Sequence, residues 1–538
     1  MATVAVPRTG YERPAVLEWL MTVDHKRLGI LYLFTTIFFF FVGGILALLV
    51  RTQLAVADSS FLSNARYNEI FTMHASAMLF LFVIPVWAGF GNYFVPLQIG
   101  AADMAFPRIN ALSFWLIPPA GLIMFAGFLV DGGAASAGWT AYSPLARQMG
   151  TGMDLWLIAV LLLGMSSTIG AANFMVTMFR MRAPGMTMFR MPIFCWTMLI
   201  TAVLQLLATP VLAAALVMLF IDRNYGGGFF DPGKGGNAVL WQNVFWFYSH
   251  PAVYIMILPG MGIISEVIPV FSRKPLFGYK AFAFATIGIG GLGFSVWAHH
   301  MFTTGAVLLP YFGFLTFMIG VPTGVKIFNW IGTLWGGSIS FEPPMLFALG
   351  FVSMFLIGGI NGTYSAAVPV DFAIHDTYFV VAHIHYVLFG GAVMAMFAGL
   401  YYWFPKIWGR RLNDRLGTIH FALMFVGFNL AFFPMHLLGL DGMPRRIATY
   451  NNEDWEFLNS LSTAGAYLIA LSTLAFLAAV IGAFMRPKDQ PNDPWQANTL
   501  EWWTSSPPPV HNFDDLPEVH SERPLFDHRH PELSGHGH

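Results

Sequence analysis

Tyr378-Phe-Val-Val-Ala-His-Ile-His-Tyr-Val-Leu-Phe-Gly-Gly-Ala-Val-Met-Ala-Met-Phe-Ala-Gly-Leu-Tyr-Tyr-Trp-Phe404 runs without one charged side chain, yet it carries two histidines. About twenty apolar residues cross a hydrocarbon core of roughly 30 Å. This stretch is therefore long enough to span a membrane, and lipid leaves its backbone groups no partners outside a helix. Side chains two apart on a helix point about 200° away from each other. His383 and His385 thus address opposite sides of one helix and cannot share a metal ion.

The pattern recurs along the chain. Twelve apolar stretches of spanning length start near Leu28, Phe71, Ala111, Leu155, Trp196, Val244, Ala281, Leu308, Met345, Tyr378, Gly417 and Thr463. Of the 538 residues 56% are hydrophobic and 10% charged, against about a quarter charged in soluble domains. An ordinary soluble globule is excluded. The expected fold is an all-α membrane protein of twelve transmembrane helices, with an N-terminal segment (1–27), a helical domain (28–485) and a Pro/His-rich tail (486–538). Arg180, Arg182, Arg190, Arg273, Lys274, Lys280, Lys406, Arg410, Arg411 and Arg415 crowd one set of loops more than Arg51, Arg66, Arg147, Arg223, Lys234, Arg445 and Arg446 crowd the other. By the positive-inside rule both termini are cytoplasmic. The first apolar run has no small-residue cleavage site after it and reads as a retained span. A net charge of −1 leaves no footprint for nucleic acid. Cys195, the single cysteine, excludes an internal disulfide, a Cys-x-x-Cys-His haem attachment and any two-thiolate metal centre within the chain. The tail from Asn492, with His528, His530, His536 and His538, reads as flexible and solvated.

Once the spans are oriented, His74, His250, His299, His300, His383 and His385 fall at nearly one depth, close to the outer face. Ionisable groups in lipid are costly, and six at one level argue for a common task. His250 and the pair His299-His300 offer three imidazoles from consecutive spans. A site rich in imidazole and free of thiolate and carboxylate suits copper or zinc, with a position left open for a small ligand. An axial imidazole on each side of the helix bearing His383 and His385 suits two haems. Tyr254 stands four residues after His250 on the same face, and Pro251 removes a backbone donor there and bends the helix. His436 lies at the same depth, so spacing alone does not exclude it as a ligand. Lys326 lies about 27 Å from the outer start of its helix, where both snorkelling and proton conduction fit it. Glu266, on the same inner side, reads mostly as a helix-end charge, with a contribution to the lysine's proton route as the alternative.

Four stretches carry a resemblance: Trp246-Phe-Tyr-Ser-His-Pro-Ala-Val-Tyr254, Trp297-Ala-His-His-Met-Phe302, Val321-Pro-Thr-Gly-Val-Lys326 and His375-Asp-Thr-Tyr-Phe-Val-Val-Ala-His-Ile-His-Tyr386. In this order they resemble the catalytic subunit of the haem-copper oxidases, over Asp24 to about Pro509. The resemblance implies haem A in two forms and copper B. His74 and His385 would be the axial ligands of a low-spin haem and His383 that of a high-spin haem. His250, His299 and His300 would hold copper B, with His250 linked covalently to Tyr254. Oxygen would be reduced to water between high-spin iron and copper, with Tyr254 as a donor of a proton and an electron.

The same resemblance assigns the outer groups and the proton routes. Arg445 and Arg446 would hold haem propionates, Arg51 would face the low-spin haem's formyl group, and His375 and Asp376 would bind magnesium. Lys326 and Thr323 would lead protons to Tyr254. Asp103, Asn92, Asn110, Asn173, Ser166 and Ser167 would form a second route. The commoner subtype has a glutamate two residues after the first copper histidine, where this chain has Ala252; Tyr248 and Ser249 would take over its proton relay, as in a second subtype. Implied partners are a subunit 2 carrying the copper centre that receives electrons, a subunit 3, membrane lipid, O2, and cytochrome c or an associated cytochrome as donor, all in a bacterial inner membrane. A quinol oxidase of the same superfamily would share these ligands, whereas a transporter with structural histidines would be colourless.

Overall fold

The computed structural model describes residues 14–534; residues 1–13 of the N-terminal segment, and His536 and His538 of the tail, lie outside the described residues. The described residues form helices and loops with no strand beyond two isolated bridges. Among the described residues, twelve helices are long and apolar enough to cross a membrane. In chain order they are α1 (His25–Gln53), α2 (Asn64–Ile99), α3 (Pro107–Leu129), α4 (Thr151–Arg180), α5 (Ile193–Asn224), α6 (Ala238–Ser272), α7 (Tyr279–Thr304), α8 (Leu309–Leu334), α9 (Pro343–Ala366), α10 (Tyr378–Trp408), α11 (Asp414–Leu440) and α12 (Glu453–Phe484). Hydropathy places every span but sets some starts too late. α2 and α12 begin several residues earlier because their first turns, with Asn64, Arg66 and Glu69 or Glu453, Asp454 and Glu456, are polar and helical at once.

Burial sorts the helices into centre and rim. In α6, 83% of the apolar window is buried inside the protein, and in α8 only 22%; α8 turns Phe314 and Phe328 outward. Small residues let neighbours approach closely, as is usual where lipid supplies no hydrophobic drive between helices. A Cβ on Gly465 of α12 would come within 2.3 Å of the Ala431 backbone nitrogen on α11. These two helices therefore touch backbone to backbone.

Three helices depart from α geometry near the predicted ligands. α2 passes through a π segment at Ala77–Val83, just after His74, and α10 through another at Leu388–Val393, just after His385. Such bulges occur mostly at functional positions. α7 loosens after Gly293 and tightens into a 3₁₀ segment, Trp297–Thr304, that carries both of its histidines.

The tail is not the flexible, solvated segment that its composition suggests. Trp495, Leu500, Trp502 and Leu525 are buried. Lys406 Nζ donates to the Thr504 carbonyl at 2.6 Å, Gln98 Nε2 to Glu501 Oε1 at 3.0 Å, and Lys26 Nζ to Asn512 Oδ1 at 2.7 Å. Aromatic anchors spaced along a Pro-rich strap, and polar groups at the helix ends that need partners, bind it across the ends of α1, α2, α6 and α10. Composition misses this because it averages over the few anchoring residues.

Candidate metal centre

His250 lies on α6, followed by Pro251 inside the helix. Opposite it, the tightened end of α7 brings two adjacent imidazoles to one point, with ring centroids 4.2 Å apart. His299 Nε2 and His300 Nε2 are 3.0 Å apart, and His250 Nδ1 is 3.3 Å from His300 Nε2. One nitrogen from each ring lies within 4.8 Å of the others. A metal–imidazole bond of about 2.0 Å puts trigonal ligand atoms about 3.5 Å apart, so the cluster is sized for one ion. His299 Nδ1 meets Thr316 Oγ1 at 2.9 Å, the kind of outer contact that fixes a ligand's tautomer. His300 lies flat on Trp246, with centroids 3.7 Å apart. His250 Nε2 is buried without a hydrogen-bond partner, and its ring centroid is 4.7 Å from that of Tyr254.

The remaining three histidines share one plan. His74 Nδ1 donates to the Gly43 carbonyl at 2.9 Å, His385 Nδ1 to the Val381 carbonyl at 2.7 Å, and His383 Nδ1 to Asn361 Oδ1 at 2.6 Å. Each Nδ1–H bonded to an oxygen leaves Nε2 as a bare lone pair. The His74 and His385 rings are parallel within 5° with centroids 6.5 Å apart. Two imidazoles ligating one iron from opposite sides would stand about 6.3 Å apart, from two bonds of about 2 Å and two ring radii. His383 faces the other way, toward α9, where a Cβ on Gly362 would come within 2.9 Å of its Cε1. His436 has no free nitrogen: Nε2 accepts from Asn361 Nδ2 at 2.7 Å and Nδ1 meets the Phe433 carbonyl. Asn361 thus orients two histidines. It escaped the sequence reading because a lone amide in an apolar span is common helix glue.

Residues 27–468 match the family model described as Cytochrome C and Quinol oxidase polypeptide I. The chain belongs to this family. It is 51% identical to cytochrome c oxidase subunit 1 of Corynebacterium efficiens over 98% of this chain and 92% of that protein, and 51% identical to the subunit of the same name in Corynebacterium diphtheriae over 98% and 94%. Its fold matches a solved heme-copper terminal oxidase dimer with a TM-score of 0.74 at 18% identity, covering 86% of this chain and 84% of that one. Family membership makes it a multi-pass membrane oxidoreductase that works with haem, copper and partner subunits.

The other residues singled out in this oxidase subunit fall into two groups. In the group at the helix ends opposite the tail strap, Arg445 Nε donates to Asp376 Oδ1 at 2.7 Å and His375 Nδ1 meets Asp371 Oδ2 at 3.0 Å, with His375 Nε2 3.9 Å from Asp376 Oδ2. Burial pushes the Asp376 carboxyl up, but Arg445 and His375 outweigh it and hold it below the usual range. Arg446, at a positive φ of 65°, reaches Thr140 Oγ1 at 3.4 Å. Arg51 is buried and tied to Asn459 and Thr463 of α12, with its Nε unpartnered.

In the group nearer the tail strap, Lys326 does not snorkel. It is fully buried, with Nζ 3.5 Å from Met261 Sδ and 4.7 Å from the Phe282 ring centroid, and has no ion pair among the described residues. Thr323 Oγ1 bonds back to its own helix at Ile319. Asn110 Nδ2 donates to Asn92 Oδ1 at 2.6 Å, and Asn92, Ser166 and Ser167 line one cavity together with Tyr32 and Gln205, which the sequence reading did not single out. Asp103 sits in the loop below and accepts from the Met104 N–H. Asn173 clamps both backbone groups of Phe106, holding that loop. Tyr248 and Ser249 are buried on α6, and Ser249 Oγ has no hydrogen-bond partner.

Proposed function

We propose that this chain is the catalytic subunit of a respiratory oxidase that reduces O2 to water with electrons from cytochrome c and moves protons across a bacterial inner membrane, its tail face cytoplasmic. The single observation that carries this reading is the three-imidazole cluster beside Tyr254, with His74 and His385 set apart at an iron's span and His383 on the opposite side of the helix from His385. The donor sets fit the groups the family implies. His250, His299 and His300 would hold copper B, His383 the high-spin haem A, and His74 and His385 the low-spin one. These groups, when bound, supply the electrons and the place where oxygen is reduced.

The protein's part is positioning and protons. Thr316, Asn361, Gly43 and the Val381 carbonyl fix which ring nitrogen is presented. Tyr254 Oη gives a proton at the oxygen site, and the unpartnered His250 Nε2 favours the covalent link to its ring. Lys326, with Thr323, resupplies Tyr254 from the cytoplasmic side. Asp103, Asn92, Asn110, Asn173, Ser166 and Ser167 serve the second route, which ends at Tyr248 and Ser249 in place of a carboxylate. Arg51, Arg445 and Arg446 steady the haem periphery, and His375 and Asp376 offer an outer magnesium site. A subunit 2 with its own copper delivers electrons, since Cys195 alone cannot hold that centre, and subunit 3 and lipid complete the assembly. Metal analysis with pyridine haemochrome spectra of the purified complex tests the reading. Two haems A and one copper per copy of this chain, beyond the copper of subunit 2, are expected; a fully active preparation lacking that copper overturns it.

A further inference from the structure

A crevice opens between the inner end of α6, the start of α7 and the tail strap, lined among others by Ser265, Glu266, Tyr279, Thr499, Glu522 and Arg523. The Lys326 side chain is fully buried, so the lysine route needs a mouth. Two facing stripes lead from this crevice toward Lys326. On α6, Tyr254, Met261 and Ser265 recur at steps of seven and four and so share a face. On α8, Lys326 and Trp330 are four apart. The stripes touch at two points: Lys326 Nζ is 3.5 Å from Met261 Sδ, and Trp330 Nε1 donates to Ser265 Oγ at 3.0 Å. Ser265 therefore stands at both the crevice wall and the lysine's helix. Glu266 is the titratable group beside it. Its Oε1 accepts from the Phe194 N–H at 3.0 Å, which pins the carboxylate against the start of α5. The charged groups facing it are Glu501, whose Oε2 is buried without a partner, and Glu522 and Arg523 at the crevice wall.

We propose that Glu266 is the proton acceptor at the mouth of the lysine route, loading from crevice water and passing its proton by way of water and Ser265 to the Lys326 amine. The proton leaves hydronium or water, rests on the Glu266 carboxylate, and moves on as Lys326 gives its own to Tyr254; no electron is transferred. This makes Glu266 more than a helix-end charge, and places one mouth within this chain. The inference rests on the reading of Lys326 as a proton conductor.

The experiment uses the whole complex and follows two things after a reductant is added: the rate at which each haem is reduced, and the infrared carboxyl band in the reduced-minus-oxidised difference. Glu266→Gln is expected to slow high-spin haem reduction by about tenfold or more, to leave low-spin haem reduction unchanged, and to remove a carboxyl band; Glu266→Asp restores most of the rate with a displaced pH profile. Wild-type high-spin reduction in Glu266→Gln, while Lys326→Met blocks it, overturns the proposal alone. Wild-type reduction in Lys326→Met overturns the lysine reading beneath it. If Glu266→Gln does not assemble with haem, the Glu266→Asp and Glu266→His enzymes carry the test, and an unchanged pH profile in both sinks the proposal.

Discussion

Burial raises the Asp103 carboxyl to about 6, with Asp24 adding to the effect and the Met104 N–H opposing it. A carboxyl whose pKa is higher folded than unfolded (about 3.9) contributes stability that is fully present below about pH 4 and lost as pH rises through 6. Asp103→Asn is therefore expected to melt above the wild type at about pH 7.5, with the difference closing toward pH 4, while turnover falls at every pH; scanning fluorimetry and oxygen uptake on the same samples check both. A neutral effect on melting would mean that the carboxylate is solvated. The six histidines were legible because they fall at one depth, whereas Asp103, in a loop, was reached only through the family's motif. Asn361, Gln205 and Ser265 were not legible, since amides and hydroxyls bridge membrane helices everywhere, and only their partners reveal what they orient.

At the scale of the element, α6 carries two opposing demands, close packing and an unsatisfied polar relay. Ser249 Oγ is buried with no partner among the protein's own groups, so Ser249→Ala breaks no hydrogen bond within the protein. Ser249→Ala should accordingly leave the melting temperature equal or higher. Tyr248→Phe with Ser249→Ala should lower proton pumping while both haem spectra stay intact; full pumping by reconstituted vesicles of the double variant would remove these residues from the relay. The contact between α11 and α12 sets the contrasting case. A methyl at Gly465 meets backbone at 2.3 Å, and Gly465→Ala is expected to destabilise by about 1–3 kcal/mol, seen as a lower melting temperature with no change in haem absorption. Spans were readable from apolar length alone. Their π and 3₁₀ departures were not, because these come from the ring positions the ligands must reach and not from local propensity.

At the scale of the molecule, the tail strap ties the ends of α1, α2, α6 and α10 together, and Asn512 is its clasp. His25 Nδ1 donates to the Asn92 carbonyl at 2.6 Å, which leaves Nε2 to accept from Asn512 Nδ2 at 2.8 Å. The same amide donates to the Ala101 carbonyl at 2.8 Å, and its oxygen accepts from Lys26 at 2.7 Å. Ala101 begins the loop that carries Asp103, and Asn92 belongs to the proposed inner route, so one side chain holds the strap, the first helix and that loop in register. Its φ of 71° is left-handed, a conformation that asparagine tolerates and alanine resists. Asn512→Ala is expected to cost roughly 2–4 kcal/mol, to admit protease into the strap, and to slow proton uptake at the Asp103 loop with Lys326-dependent haem reduction preserved. Asn512→Gly separates the causes, because glycine relieves the backbone but restores no hydrogen bond. Equal damage in both variants assigns the clasp to the amide. Recovery in the glycine variant assigns it to backbone conformation, and a strap that stays protected in both would mean that Trp495, Trp502 and Leu525 hold it without Asn512.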